Sequence, residues 1–235
     1  MRIILMSKSG GTARIEFYGC PLRCEYCTHS IKGNRDVDIM EILEFIADPE
    51  INQVYLGGAE PFTQSKDLYE LLSRIHIMPH KRTILKTSGY FLDRLEKTLG
   101  LVHRYMVEIK CPFDDLGCNS ALTGLGPEGA KRYAENLRRS LSVLDGRRIH
   151  VWIRVIPGFM DEERMRRIGE EITGSAEQAL LLQFLSNPEN ERPFRGIDKE
   201  GPEESEMVKL GRVLAMYVPR VIIKGKGFHT EIKAG

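Results

Sequence analysis

Short apolar runs alternate along the chain with longer stretches in which apolar residues recur three or four positions apart. Six runs read as strands: Ala13–Tyr18, Gln53–Gly58, Arg82–Thr87, Arg104–Lys110, Ile149–Ile156 and Ala179–Leu185. Between them lie "DIMEILEFIA", "KDLYELLSRI", "FLDRLEKTLG", "GPEGAKRYAENLRRSLSVL" and "DEERMRRIGEEI". Their spacing returns apolar side chains to one face of a helix. A last helix, "SEMVKLGRVLAMY", precedes a further strand within "VPRVIIKGKGFHTEI". Strands alternating with helices predict a parallel sheet covered by helices, either an open doubly wound sheet or an open, incomplete barrel. In both designs ligands sit where the strands stop at their carboxyl ends.

The predicted strand ends are loaded with chemistry. A cysteine-rich loop follows the first, "GGAEP" (Gly57–Pro61) ends the second, and "TSG" (Thr87–Gly89) the third. "EIKC" (Glu108–Cys111) ends the fourth and "RVIPG" (Arg154–Gly158) the fifth. Glycine and proline terminate strands on their own account. Glu108, Lys110 and Arg154 need another reason, because a charge closing an apolar run is costly to bury without a partner. Glu108 and Lys110 are two apart and so share one side of a strand; they could simply pair with each other. The five ends together point to one pocket.

The loop "YGCPLRCEYCTHS" (Tyr18–Ser30) holds three of the five cysteines, Cys20, Cys24 and Cys27. An odd, clustered set does not resemble a disulfide framework and reads as metal-binding or catalytic. A structural zinc site needs four ligands, and His29 could serve as the fourth. Iron–sulfur clusters are also held by thiolates in short loops of this kind. With three cysteines such a cluster keeps one iron open, which makes it a reactive centre, and His29 is then a lining residue. Cys111 and Cys118, with six residues between them, lack the spacing of a second cluster. They are left open between inert thiols and substrate-side or redox-active ones.

Composition narrows the field. The 235 residues suit one domain, 1–235, and 34 basic against 33 acidic residues leave a net charge of +1. That balance carries no footprint for nucleic acid or an anionic membrane. No run of about 18 apolar residues exists to span a bilayer, and "MRIILMSKSGG" is too short for a signal-peptide core. The expected location is the cytoplasm.

The spacing Cys20-x₃-Cys24-x₂-Cys27, with aromatic Tyr26 before the last cysteine, resembles the signature of the radical S-adenosylmethionine superfamily. "GGAEP" is similar to that family's Gly-Gly-Glu-Pro turn, with Ala59 where glycine is more usual. The resemblance implies a partial (β/α)6 barrel with parallel strands and helices outside. It implies that Cys20, Cys24 and Cys27 hold a [4Fe–4S] cluster whose open iron is chelated by S-adenosylmethionine. An electron, expected from a reduced ferredoxin or flavodoxin, then cleaves a carbon–sulfur bond, and the resulting 5′-deoxyadenosyl radical takes a hydrogen atom from substrate. Gly57 and Gly58 would admit the methionine ammonium to backbone carbonyls, and Glu60 would add a carboxylate or brace the turn. Ser88 would meet the ribose or methionine moiety, or merely cap the next helix. Lys110 and Arg154 would meet the methionine carboxylate, with Glu108 beside Lys110. Ile156 would give adenine an apolar shelf, and Tyr26 would contact adenine or pack in the core.

Within the superfamily "TSGYF", "VEIK" and "VWIRVIPGFMDEE" resemble the glycyl-radical-enzyme activases of the pyruvate formate-lyase activating type. The implied substrate is a glycine on a partner glycyl-radical enzyme. Lys86 stands where those proteins often have an acidic residue, His29 where they have asparagine, and "LLLQFLSNPEN" lacks an expected histidine. These departures keep two alternatives in view. One is a small-molecule radical enzyme resembling 7-carboxy-7-deazaguanine synthase, and the other a zinc-stapled module without catalysis.

Overall fold

The structure, a computed structural model, describes residues 1–24, 26–29, 32–144, 149–184 and 201–234. Its elements in chain order are β1 (Arg2–Ser9), β2 (Thr12–Phe17), β3 (Arg35–Asp36), α1 (Ile39–Ala47), β4 (Gln53–Gly58) and α2 (Ser65–His76). There follow β5 (Arg82–Thr87), α3 (Leu92–Glu96), β6 (Arg104–Ile109), α4 (Leu116–Thr123), α5 (Pro127–Val143) and β7 (Ile149–Val155). The chain closes with α6 (Glu162–Ile172), β8 (Gln178–Gln183), α7 (Glu204–Leu214), β9 (Arg220–Gly225) and β10 (Phe228–Lys233).

All the described strands form one sheet in the order β10-β9-β8-β7-β6-β5-β4-β2-β1-β3. From β2 to β9 every neighbouring pair is parallel. β1 and β10 fold back antiparallel on β2 and β9, and β3 pairs antiparallel with β1. The expected parallel α/β sheet is therefore present, and among the described residues it is open. The seventh parallel strand, β9, is the further strand expected within "VPRVIIKGKGFHTEI", and an antiparallel hairpin at each end extends the sheet beyond the predicted units. The last two residues of the expected sixth strand divide: Phe184 lies just past β8, and Leu185 lies outside the described residues.

The two faces of the parallel strands differ by alternation. Tyr105, Val107 and Ile109 of β6 and Val151, Ile153 and Val155 of β7 are buried in the main hydrophobic core with the apolar faces of the helices. The intervening residues, Met106, Glu108, Trp152 and Arg154, are half-buried on the opposite face. Successive strand residues point to opposite faces, so one face can be dry while the other carries polar groups.

Helix ends follow local chemistry. Asp38, Asp115 and Asp161 accept from backbone N–H groups of the first turns of α1, α4 and α6, satisfying donors that a helix start leaves free. α4 has no apolar stripe in "LGCNSALT" and was not predicted. Its start is fixed by Asp115, and its Cys118 is joined to Cys111 by a disulfide. The sequence leaves the role of these two cysteines open, and the structure joins them to each other.

Candidate active site

The carboxyl ends of β2, β4, β5, β6 and β7 converge on one open cleft. Cys20, Cys24 and Cys27 line it with Tyr26; Gly58, Glu60 and Ser88 come from the next two strand ends, and Glu108, Lys110 and Arg154 from the two after. Gly57 and Ile156 do not reach the lining. Gly57 lies against the Tyr55 ring, where a Cβ would sit 2.6 Å away, and Ile156 is 1% exposed within the core.

The cysteine loop is clamped by the turn after β4. Glu60 N–H and the Thr63 hydroxyl donate to the Gly19 carbonyl at 2.9 and 3.3 Å, and Gln64 Nε2 donates to the Tyr18 carbonyl at 3.0 Å. On its far side Arg23 N–H donates to the carbonyl of Thr123, the last residue of α4, at 2.8 Å. Gly58 permits the close approach of turn and loop. It has φ +88°, and a Cβ there would stand 2.8 Å from Phe17 N and 2.9 Å from Glu16 Cα. Gly58→Ala should therefore cost about 2–4 kcal/mol, combining left-handed strain with a backbone collision. Denaturant unfolding of both proteins checks this, and an unchanged midpoint would contradict it.

Glu60 is 1% exposed, and its carboxylate accepts from Phe62 N–H, the Thr87 hydroxyl, Ser88 N–H and the Ser88 hydroxyl. Burial raises its pKa and these donors pull it back only in part. Glu60 thus braces the β4 and β5 ends against each other, and Ser88 spends its hydroxyl on that brace.

Glu108 is the hub of the opposite wall. Its Oε1 accepts from the Tyr26 hydroxyl at 2.7 Å and faces Lys110 Nζ at 3.1 Å, while Oε2 meets Lys86 Nζ at 2.7 Å. Burial opposes the carboxylate charge, but Lys110, Lys86 and the Tyr26 hydroxyl hold its pKa well below the usual range. Burial likewise opposes the Lys110 charge, and Glu108 holds that pKa well above the ordinary lysine value. Lys110 Nζ and Arg154 Cζ lie 5.6 and 5.9 Å from the Tyr26 ring centre. Arg154 Nε is buried with no hydrogen-bond partner among the described residues, so this cation has capacity left for an anionic group.

Lys86 and Trp152 were not among the expected site residues. The Lys86 ammonium stands 4.4 Å over the Trp152 ring while gripping Glu108. Alternation carries the signal: Lys86 pairs in register with Met106, two before Glu108, and Trp152 pairs with Glu108 itself. His29 also lines the cavity, with Nε2 3.4 Å from buried Glu16. Burial disfavours its charge, but hydrogen bonds with Cys27 and Glu16 raise its pKa.

Cys20, Cys24 and Cys27 are not disulfide-bonded. Burial pushes Cys24 up to about 12 and Cys20 well above the usual thiol value, so thiolates persist here only against a metal. Among the described residues no group of three or more His, Cys, Asp or Glu side chains is placed to hold a single metal ion, as a zinc staple requires. A three-thiol donor set in one short loop suits a sulfur-bridged cluster.

Comparison with known proteins agrees. Residues 9–124, about half of the chain, match the model of a 4Fe–4S single cluster domain. A Methanocaldococcus jannaschii protein provisionally named a glycyl-radical enzyme activating enzyme is 22% identical over 225 residues, covering 91% of this chain and 88% of that one. The pyruvate formate-lyase-activating enzyme of Clostridium pasteurianum is 25% identical over 183 residues, 72% and 73% of the two chains. In fold, the chain superposes on SuiB of Streptococcus suis with a TM-score of 0.65 at 14% identity, covering 89% of this chain and 47% of that longer one. The three-cysteine loop after the first parallel strand and the matched residues 9–124 show a 4Fe–4S domain of the radical S-adenosylmethionine type, a type whose cofactors are a [4Fe–4S] cluster and S-adenosylmethionine.

Proposed function

We propose that Cys20, Cys24 and Cys27 hold the [4Fe–4S] cluster and that the chain, a single domain over 1–235 acting in the cytoplasm, is an activase for a glycyl-radical enzyme. The observation that carries the site assignment is the set of three thiols outside any disulfide on one wall of a cleft whose opposite wall is cationic. When bound, the cluster and S-adenosylmethionine supply an adenosyl radical able to take a hydrogen atom from carbon. The protein's own residues bind and orient. Lys110 and Arg154 offer positive charge to the methionine carboxylate, Glu108 fixes the lysines, and Glu60 holds the β4 turn that faces the ammonium. Tyr26 forms the apolar wall between the two cations. The substrate assignment draws on the names of the two relatives above, and on the "TSG", "VEIK" and "VWIRVIPG" stretches.

The test is anaerobic. The purified chain should hold about four irons, as a single cubane cluster requires, and should cleave S-adenosylmethionine on reduction. Incubation with a glycyl-radical enzyme from the same genome should then produce the electron paramagnetic resonance doublet of a protein glycyl radical. Zinc without cleavage would overturn the cluster assignment. Cleavage without any glycyl signal would overturn the activase reading and favour a small-molecule substrate.

A further inference from the structure

Behind the turn that clamps the cysteine loop lies a second, open groove, lined by Phe62, Ser65, Lys66, Tyr69, Arg94 and Lys97. Phe62 is buried and Tyr69 is 39% exposed. Lys66 and Lys97 are exposed and make no ion pair among the described residues. Arg94 donates to the Phe62 carbonyl at 2.6 Å and stacks on Phe91 at 4.2 Å, again without a carboxylate. The acids of α2 are committed elsewhere, since Asp67 reaches the N-terminal ammonium and Glu70 pairs with Arg74. Among the described residues, then, three cations surround an aromatic floor with no carboxylate in ion-pair contact.

The place of this groove matters more than its charge. Phe62 belongs to the single turn Pro61–Gln64, whose Thr63 and Gln64 hydrogen-bond the backbone of Gly19 and Tyr18, next to Cys20. One backbone turn thus joins the groove to the loop proposed to carry the cluster. The reaction needs one electron from outside the chain at each cleavage. Encounters that pass an electron use small interfaces, and opposite charge steers them together.

We propose that this groove is the docking surface for the electron donor, a small acidic redox protein; the proposal rests on the cluster assignment above. An acidic loop of the donor engages Lys66, Arg94 and Lys97, while Tyr69 and Phe62 supply the apolar contact that aromatic residues give at interface centres. In the complex the donor is oxidised by one electron and the chain's cluster reduced by one; no atom or group is transferred.

The experiment compares wild-type holoenzyme with the Lys66→Glu, Lys97→Glu double variant, leaving Arg94 in place because it supports Phe62. The probe is a purified flavodoxin. The double variant should bind it about tenfold more weakly at low ionic strength, the scale of two reversed exposed charges. It should show the same deficit in flavodoxin-driven bleaching of the cluster absorbance. Iron content and dithionite-driven bleaching should match wild type, because a small reductant needs no docking surface. Lys131→Glu with Arg132→Glu, on exposed positions of α5, changes net charge equally and should leave flavodoxin binding within about twofold. Equal binding by wild type and the groove variant would overturn the proposal, as would an equal loss in the α5 variant. A wild-type chain without iron would refute the cluster assignment instead. Flavodoxin binding, read by fluorescence and independent of iron, would still decide the groove.

Discussion

Cys24→Ala should leave the purified chain with almost no iron and S-adenosylmethionine cleavage at background. Among the described residues no other thiol or imidazole is available to substitute. Cys111 and Cys118 are bonded to each other, and His29 is engaged with Glu16 and Cys27. A three-ligand site has no spare, and two thiols hold a cubane cluster poorly. The fold should survive, because Cys24 contributes only one small side chain, 6% exposed, to the core. Circular dichroism and the melting temperature of the metal-free proteins provide the control. Iron and sulfide assays give the readout, and full iron retention would remove Cys24 from the ligand set.

Glu108→Gln should destabilise the protein by about 3–5 kcal/mol, the usual cost of removing one partner from a buried ion pair. The effect is large because Lys86 and Lys110 both rely on this carboxylate, with side chains 11% and 4% exposed. The pH dependence has a definite sign. Glu108 has a depressed folded pKa, so its contribution is present above the unfolded value of about 4.3 and is lost as pH falls through the folded one. Lys110 has a raised folded pKa, so the same interaction is present below about 10.4 and is lost as pH rises through the folded value. The stability gap between wild type and variant should be widest between about pH 5 and 10 and shrink on either side. Denaturant titrations across that range check it; a gap independent of pH would show that the loss comes from packing and not from charge.

The parallel core was legible because its strands are apolar runs separated by helices long enough to show their period. What escaped lacked that contrast. β1 reads "RIILMSKS", half apolar and half polar, and its place is set by pairing with β2. The stretch "FLDRLEKTLG" looks helical throughout, yet α3 ends at Glu96, and Thr98 turns its hydroxyl back to the Leu95 carbonyl. The terminal segment read as one strand is a hairpin, turned at Gly227 with φ +81°. At the site, strand-end placement found most of the lining because topology alone brings carboxyl ends together. It missed Lys86 and Trp152, whose partners lie on neighbouring strands and depend on register. Gly57 and Ile156 have the step in the alternation that faces the cavity, yet neither lines it: the Tyr55 ring covers the position of a Gly57 side chain, and Ile156, just past the end of β7, is buried in the core.

The ends of the sheet also shape how another protein can meet this one. β3 is only two residues long, and β10 carries Glu231 and Lys233 on its exposed positions, with Glu231 tied to Arg220 at 2.8 Å. Short and charged margins are poor templates for adding a strand. A visiting polypeptide gains little backbone ladder here, so its recognition falls to side chains meeting pockets at the strand tips. Sequence specificity for any protein substrate would then be written in a few contacts around the mouth, not in a long register along an edge.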